Sequence, residues 1–78
     1  MSTRLPSLKP KAVLTALKRG GFFVHHVSGS HYVLKHPDRL GFRVTLPVHN
    51  RDMKRGTLAS ILDQAGLSVE GFLALLRS

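Results

Sequence analysis

The sequence of 78 residues contains no cysteine and no tryptophan, and only four of its side chains are acidic. Without cysteine there is no disulfide, no thiolate nucleophile and no cysteine-based zinc site. No apolar run approaches the ~20 residues that a membrane-spanning helix needs. Residues 1–10 lack the apolar segment of a signal peptide, so we expect a cytoplasmic protein without membrane association. The length predicts one domain over residues 1–78.

Basic residues dominate what remains. Twelve Lys and Arg residues oppose four Asp and Glu residues, which gives a formal charge of +8 with histidine neutral. A compact cation of this size attracts phosphate backbones or an acidic protein, although a basic surface can also serve solubility alone. The four carboxylates are scattered and the five histidines lack metal-ligand spacing. We therefore predict nucleic-acid binding, and expect neither paired-carboxylate catalysis nor a metal.

Apolar periodicity and chain breakers predict one helix, three strands and two further helices. Pro10 suits the first turn of a helix, and Gly66 ends the second helix. Either Thr57 or Asp52 is expected to cap the second helix, and Ser68 the last. Strands are predicted over residues 22–27, 31–35 and 42–46, with turns over 28–30 and 37–41.

The order of elements predicts an α+β fold. Short connections favour an antiparallel three-stranded meander. The apolar stripe of each helix needs a surface to cover, which is most simply one face of the sheet. The expected architecture is α-β-β-β-α with a short C-terminal helix, and it leaves the second sheet face open. This topology is similar to that of double-stranded-RNA-binding domains, although a fold alone does not establish a function.

His31 is the leading candidate for catalysis because of its position after a Gly-Ser turn. Alternation places His31, Val33 and Lys35 on one face, and Tyr32 and Leu34 on the other. Lysine is costly to bury, so His31 is expected on the open face. A histidine exchanges protons near neutral pH, as metal-independent ribonuclease chemistry requires. A surface histidine without a role is the alternative.

Two further motifs are candidates for phosphate binding or proton transfer. Lys54 and Arg55 stand at the start of the second helix, where cations oppose the helix dipole unless an anion binds there. A solvated cluster of charges is the alternative. His49 is a candidate second proton donor or RNA contact, or it satisfies backbone groups in its loop. Lys35, Arg43 or Lys54 could stabilise negative charge at a reacting phosphate.

An ordered set of motifs resembles the HicA family of bacterial and archaeal toxins over about residues 10–75. The motifs are Gly21-Phe22, Gly29-Ser30-His31, Leu46-Pro47-Val48-His49, Lys54-Arg55-Gly56-Thr57-Leu58 and Ala65-Gly66-Leu67-Ser68. The resemblance implies a double-stranded-RNA-binding-like fold and an mRNA interferase activity, with His31 as the catalytic residue. It also implies a HicB-type antitoxin that covers His31. His25 and His26 differ from the family, whose members often carry Arg or other polar residues there.

The sequence therefore predicts a toxin endoribonuclease that cleaves mRNA without a cofactor, a metal or a small-molecule substrate. His31 is the predicted catalytic residue. The predicted RNA contacts are Ser30, Lys35, Arg43, His49, Lys54 and Arg55. A non-catalytic RNA-binding module is the first alternative, and a degenerate toxin that acts as an interaction protein is the second.

Overall fold

The computed structural model describes residues 5–49 and 51–78, and for Leu40 it describes the backbone alone. The first four residues of the segment examined for a signal peptide lie outside this description. The elements are α1 (Pro10–Arg19), β1 (Phe23–Ser28), β2 (His31–His36), β3 (Arg39–Pro47), α2 (Arg55–Ala65) and α3 (Val69–Arg77). The strands form an antiparallel sheet in the order β1-β2-β3. The predicted α-β-β-β-α arrangement is confirmed.

The helix ends follow local rules in most places. Pro10 is the first residue of α1, where its missing N–H leaves no helical hydrogen bond unmade. Gly66 ends α2 in the left-handed conformation, with φ of 69°. Ser68 caps α3, since its side chain accepts a 2.9 Å hydrogen bond from the Gly71 N–H. These three predictions are confirmed.

The predicted cap of α2 is wrong. The residue before α2 is Lys54, and no side chain caps this helix by a hydrogen bond. A bridge between Leu8 and Met53 places the segment before α1 beside the segment before α2. Asp52 is thereby brought to Lys9, with which it forms a 3.4 Å ion pair, and it does not serve as a cap. The two helices consequently begin next to each other.

The turns between strands differ in how well they were predicted. Gly29, with φ of 59°, lies in the first turn as expected. The second turn is shorter than predicted, because β3 already begins at Arg39. The His36 Nδ1 atom accepts a 3.1 Å hydrogen bond from the Asp38 N–H, which closes this turn early. A register shift after Lys35 accommodates the change.

The core lies between the sheet and the helices. It comprises Val13, Ala16, Leu17, Phe22, Leu34, Val44, Leu46, Met53, Leu58, Ile61, Leu62, Ala65 and Phe72. Helix α1 contacts β3 and α3, and α2 contacts β3. The opposite sheet face carries exposed His31, Arg43 and Thr45. Within residues 5–49 and 51–78 no single helix is long and apolar enough to span a membrane; α2 and α3 meet that test only as a pair bent by 96°.

Candidate nucleic-acid interface

Strand register arranges the open sheet face in three rows of residues that cross all three strands. The first row is Ser28, His31 and Pro47; the second is His26, Val33 and Thr45; the third is Phe23, Lys35 and Arg43. Successive rows lie about 7 Å apart, because alternate residues of a strand share a face. The rows therefore form a strip that begins at His31 and ends at Lys35, about 13 Å away along β2.

His31 and His49 face each other at the end of this strip. Pro47 ends β3, and the Val48 N–H then donates a 2.7 Å hydrogen bond to the Ser30 carbonyl. This bond holds the loop against the start of β2. The His49 ring lies edge-on to the His31 ring, with 6.5 Å between centroids and 84° between planes. Both imidazoles are exposed to solvent, so each is available for proton exchange.

A basic groove adjoins the two histidines. One cavity of about 320 Å³ is lined by Pro10, Pro47, His49, Arg51, Asp52, Met53, Lys54 and Thr57. A second cavity of about 240 Å³ is lined by Lys9, Lys11, Val48 and His49. His49 borders both cavities, and the adjacent starts of α1 and α2 form their walls. This groove is a concave, positively charged surface suited to a phosphate backbone.

The other predicted RNA contacts fall in different places. Lys35 and Arg43 lie in the third row, away from His31. Arg55 is exposed at the first position of α2 but lines neither cavity. Ser30 is half-buried in the turn, where its carbonyl holds the loop. The structure thus places His49 and Lys54 at the groove and His31 beside His49, and it leaves Lys35 and Arg43 at the far end of the sheet.

Comparison with known families decides what kind of protein carries this surface. Residues 10–67 match the family described as HicA toxin of bacterial toxin-antitoxin systems. The chain belongs to the HicA toxin family. It is therefore a toxin of a toxin–antitoxin system, whose partner is an antitoxin. No curated protein matches the chain.

Strand β1 of the toxin contains a β-bulge, which the alternation of inward and outward residues in the sequence does not predict. His25 is the extra residue of β1, inserted between the pairs Val24–Leu34 and His26–Val33. The His25 and His26 Nδ1 atoms lie 2.9 Å apart, so one must donate a proton and the other accept it. The adjacent histidines in the sequence were the only signal for this pair.

Cations surround the inserted histidine. The positive charge of Lys35 is the main cause that lowers the pKa of His25 from its ordinary value of 6.5. Partial loss of hydration and the charges of His26 and Arg43 lower that pKa further. The middle of the open face therefore resists additional positive charge and favours a negatively charged ligand.

His36 of the toxin stabilises the fold through hydrogen bonds to the backbone. The Asp38 N–H donates to its Nδ1 atom, so the Nε2 atom bears the proton and donates to the Gly20 carbonyl at 3.0 Å. The ring also packs edge-on against Phe22, 5.0 Å between centroids. Both nitrogens are thus occupied by the backbone. Across residues 5–49 and 51–78, no group of three or more His, Cys, Asp or Glu side chains lies close enough to hold a metal ion.

Proposed function

We propose that the protein is an endoribonuclease toxin, an mRNA interferase that acts in the cytoplasm and uses His31 and His49 to move protons. The observation that carries this proposal is the pair of exposed imidazoles, 6.5 Å apart, at the edge of a basic groove. Cleavage of RNA without a metal requires one group that accepts a proton and one that donates a proton. The sequence had supplied His31 as one of them, and His49 is the partner we assign.

The reaction would proceed at a single phosphodiester. One imidazole removes the proton of the ribose 2′-OH, and the 2′ oxygen attacks the adjacent phosphorus. The bond between phosphorus and the 5′ oxygen breaks as the other, protonated imidazole donates its proton to that oxygen. The products are a 2′,3′-cyclic phosphate and a free 5′-OH. Each histidine ends in the protonation state in which the other began.

The distance between the rings suits this chemistry. A proton-transfer group must come within about 2.6–3.2 Å of the oxygen that it serves. The ring centroids of His31 and His49 are 6.5 Å apart, which leaves room for a phosphodiester between the two imidazoles. His25 and His26, in contrast, are hydrogen-bonded to each other. The exposed position of His31 and His49 lets RNA enter from solvent.

Cations beside the pair would bind and stabilise the reacting phosphate. Lys54 lines the larger cavity at the start of α2, whose first N–H groups receive no side-chain cap. Such a helix start attracts anions through its dipole and its free N–H groups. Arg55 adds positive charge at the same helix start. Lys54 is the cation we expect to counter charge developing on the phosphate, because it alone of the two lines the groove.

The antitoxin is proposed to be of the HicB type and to neutralise the toxin by covering His31. His31 and His49 lie on an exposed surface, so a protein bound there blocks both histidines and the groove at once. Co-expression with the product of the adjacent reading frame should relieve growth arrest. A neighbouring product that binds the toxin yet leaves RNA cleavage intact would contradict this mode of inhibition.

The decisive experiment compares RNA cleavage by the wild-type protein and by His31→Ala in the presence of EDTA. We expect wild-type activity to survive EDTA, and the substitution to lower the rate by about 10²–10⁴-fold. Val27→Ala is the matched control, because Val27 is exposed on the same hairpin and lies outside the three rows. Equal cleavage by wild type and His31→Ala would refute the role of His31.

A pH–rate profile tests the assignment of His49. Wild type should give a bell-shaped profile, since one histidine must be neutral and the other protonated. His49→Gln keeps a polar side chain but cannot transfer a proton, so it should lose one limb of the bell and most of the rate. An unchanged profile would remove His49 from the mechanism.

Salt-dependent RNA binding without any cleavage products would favour the non-catalytic RNA-binding module.

A further inference from the structure

Phe23 is a large apolar side chain that the fold leaves in water. Two adjacent phenylalanines have opposite environments: Phe22 is 4% exposed and belongs to the core, whereas Phe23 is 45% exposed. Alternation along β1 directs the second ring to the open sheet face. The core does not use Phe23, and neither do the groove and the histidine pair described above. An exposed aromatic ring offers a flat apolar face on which another ring can stack.

Two cations stand in line with this ring. Phe23 is directly opposite Lys35 on β2, and Lys35 is directly opposite Arg43 on β3. Side chains directly opposite each other on neighbouring strands have Cβ atoms about 4.5–5.5 Å apart. The third row is therefore an aromatic ring followed by two positive charges within the width of the sheet. An aromatic face binds a nucleobase, and cations beside it bind phosphates, in proteins that hold single-stranded nucleic acids.

We propose that the third row is a subsite for one unpaired nucleotide of the RNA, in which Phe23 stacks on the base while Lys35 and Arg43 bind the flanking phosphates. The proposal rests on the proposed function for the identity of the ligand. It adds a prediction that the histidines alone do not make. The toxin requires single-stranded RNA on at least one side of the cleavage site, because a base within a duplex cannot stack on a side chain.

The spacing along the sheet supports a continuous RNA path. Lys35 lies four residues from His31 on β2, a distance of about 13 Å. About two nucleotides of an extended strand cover this distance. Between these ends lie Val33, 5% exposed, and the pair His25 and His26. The strip ends at the positive charges of Lys35 and Arg43, which suits a strand whose phosphates follow it.

RNA accounts for these observations better than a protein partner. A hydrophobic protein contact would be expected to extend over several apolar residues. The third row instead sets a single ring in line with two cations, and it lies on the same face as His31. Val27 is the other large exposed apolar residue among those described, and it pairs with Tyr32 outside the three rows. A protein contact at Phe23 is the competing outcome of the experiment below.

The chain has no tryptophan, so Phe23→Trp creates a protein with one fluorescent indole at the proposed platform. The probe is a single-stranded oligonucleotide with 2′-O-methyl groups, which lacks the attacking 2′-OH and stays intact during the measurement. Stacking should quench the fluorescence of Phe23→Trp in a saturable manner. Val27→Trp places the indole at similar exposure on the same strand and should show little quenching. A fully paired duplex of the same sequence should quench neither variant.

Affinity measurements supply the second readout. Phe23→Ala should raise the Kd for the oligonucleotide by about 5- to 150-fold. Phe23→Leu, which keeps apolar bulk but offers no aromatic face, should resemble Phe23→Ala, and Phe23→Trp should retain wild-type affinity. Val27→Ala should change the Kd by less than about twofold. Circular dichroism of every variant confirms that it is folded before its Kd is measured.

The outcomes separate this proposal from the proposed function. If Phe23→Ala and Phe23→Leu bind the oligonucleotide as tightly as wild type, the subsite is refuted even when cleavage by His31 is intact. If those variants lose affinity only for the antitoxin, Phe23 belongs to a protein interface and the subsite is equally refuted. If Phe23→Trp is quenched and Phe23→Ala binds weakly while wild type cleaves no RNA, the subsite stands and only the nuclease assignment fails.

Discussion

Phe72→Ala is expected to remove at least a quarter of the free energy of unfolding, although α3 lies beyond the residues that match the family. Phe72 is 0% exposed and belongs to the same core as the sheet and the other two helices. Truncation of a buried phenylalanine costs about 3–5 kcal/mol. A chain of 78 residues has a total stability of about 4–12 kcal/mol, at 0.05–0.15 kcal/mol per residue. The substitution therefore removes from a quarter to the whole of that stability.

Urea denaturation followed by circular dichroism measures this loss as a fall in the midpoint at constant slope. Phe23→Ala is the matched control, because it removes the same ring from a position that is 45% exposed. We expect that control to cost less than about 1 kcal/mol, in the range of surface substitutions. A Phe72→Ala protein destabilised by no more than Phe23→Ala would show that α3 does not complete the core, and would refute the reasoning.

Three further predictions concern the end of α2, the pKa of His25 and the cap of α3. Gly66→Ala should destabilise the protein by at least about 1 kcal/mol in urea denaturation, because φ is 69° there and a Cβ atom would lie 2.5 Å from the Phe42 ring. Lys35→Gln should raise the pKa of His25 towards its ordinary value in an NMR titration, since Lys35 is the main cause of the lowered pKa. Because that pKa is lowered in the folded state, the unfolded chain binds the His25 proton more readily as the pH falls below 6.5. His25 should therefore lower the free energy of unfolding in this pH range, and Lys35→Gln should make that loss of stability smaller. Ser68→Ala should cost about 1 kcal/mol, because it removes the cap of α3.

Each of these predictions has a control in the same protein. Gly41→Ala should be nearly neutral, because φ is not positive there and no atom lies within 4 Å of the added Cβ. Lys54→Gln should leave the titration of His25 unchanged, because Lys54 is not among the charges that act on it. Ser28→Ala removes a serine that caps no helix. Equal effects in control and test variants would contradict the cause assigned in each case.

The helices and the core could be predicted from local sequence because each rests on a short-range pattern. Val44 and Leu46 alternate with polar residues in β3, and both are fully buried as that alternation predicts. Pro10 begins α1 and Ser68 caps α3 for reasons contained within one helical turn. Alternation predicts Val33 on the open face, yet its side chain is only 5% exposed, because β2 is the central strand and neighbours on both sides cover it.

Features that depend on a distant partner could not be predicted in the same way. Asp52 has the residue type of a helix cap, but the bridge between Leu8 and Met53 brings Lys9 to it. His25 interrupts a regular alternation because β1 accommodates one extra residue against β2. The predicted turn over 37–41 is shortened by the hydrogen bond between Asp38 and His36. Each difference arises from a contact that local periodicity does not contain.

The sequence alone predicts a basic α+β protein, from its composition and its order of elements, and it places the helix ends within a few residues through proline, glycine and capping residues. Its ordered motifs also single out His31 as the residue to examine first. Those properties depend on neighbours within one turn or one strand, where spacing alone decides which side chains share a face. Folding decided that His49, 18 positions further along the chain, faces His31, and that Phe23 stands in one row with Lys35 and Arg43. Strand pairing and the hydrogen bond from Val48 to Ser30 create these proximities, because they join segments that the linear order keeps apart.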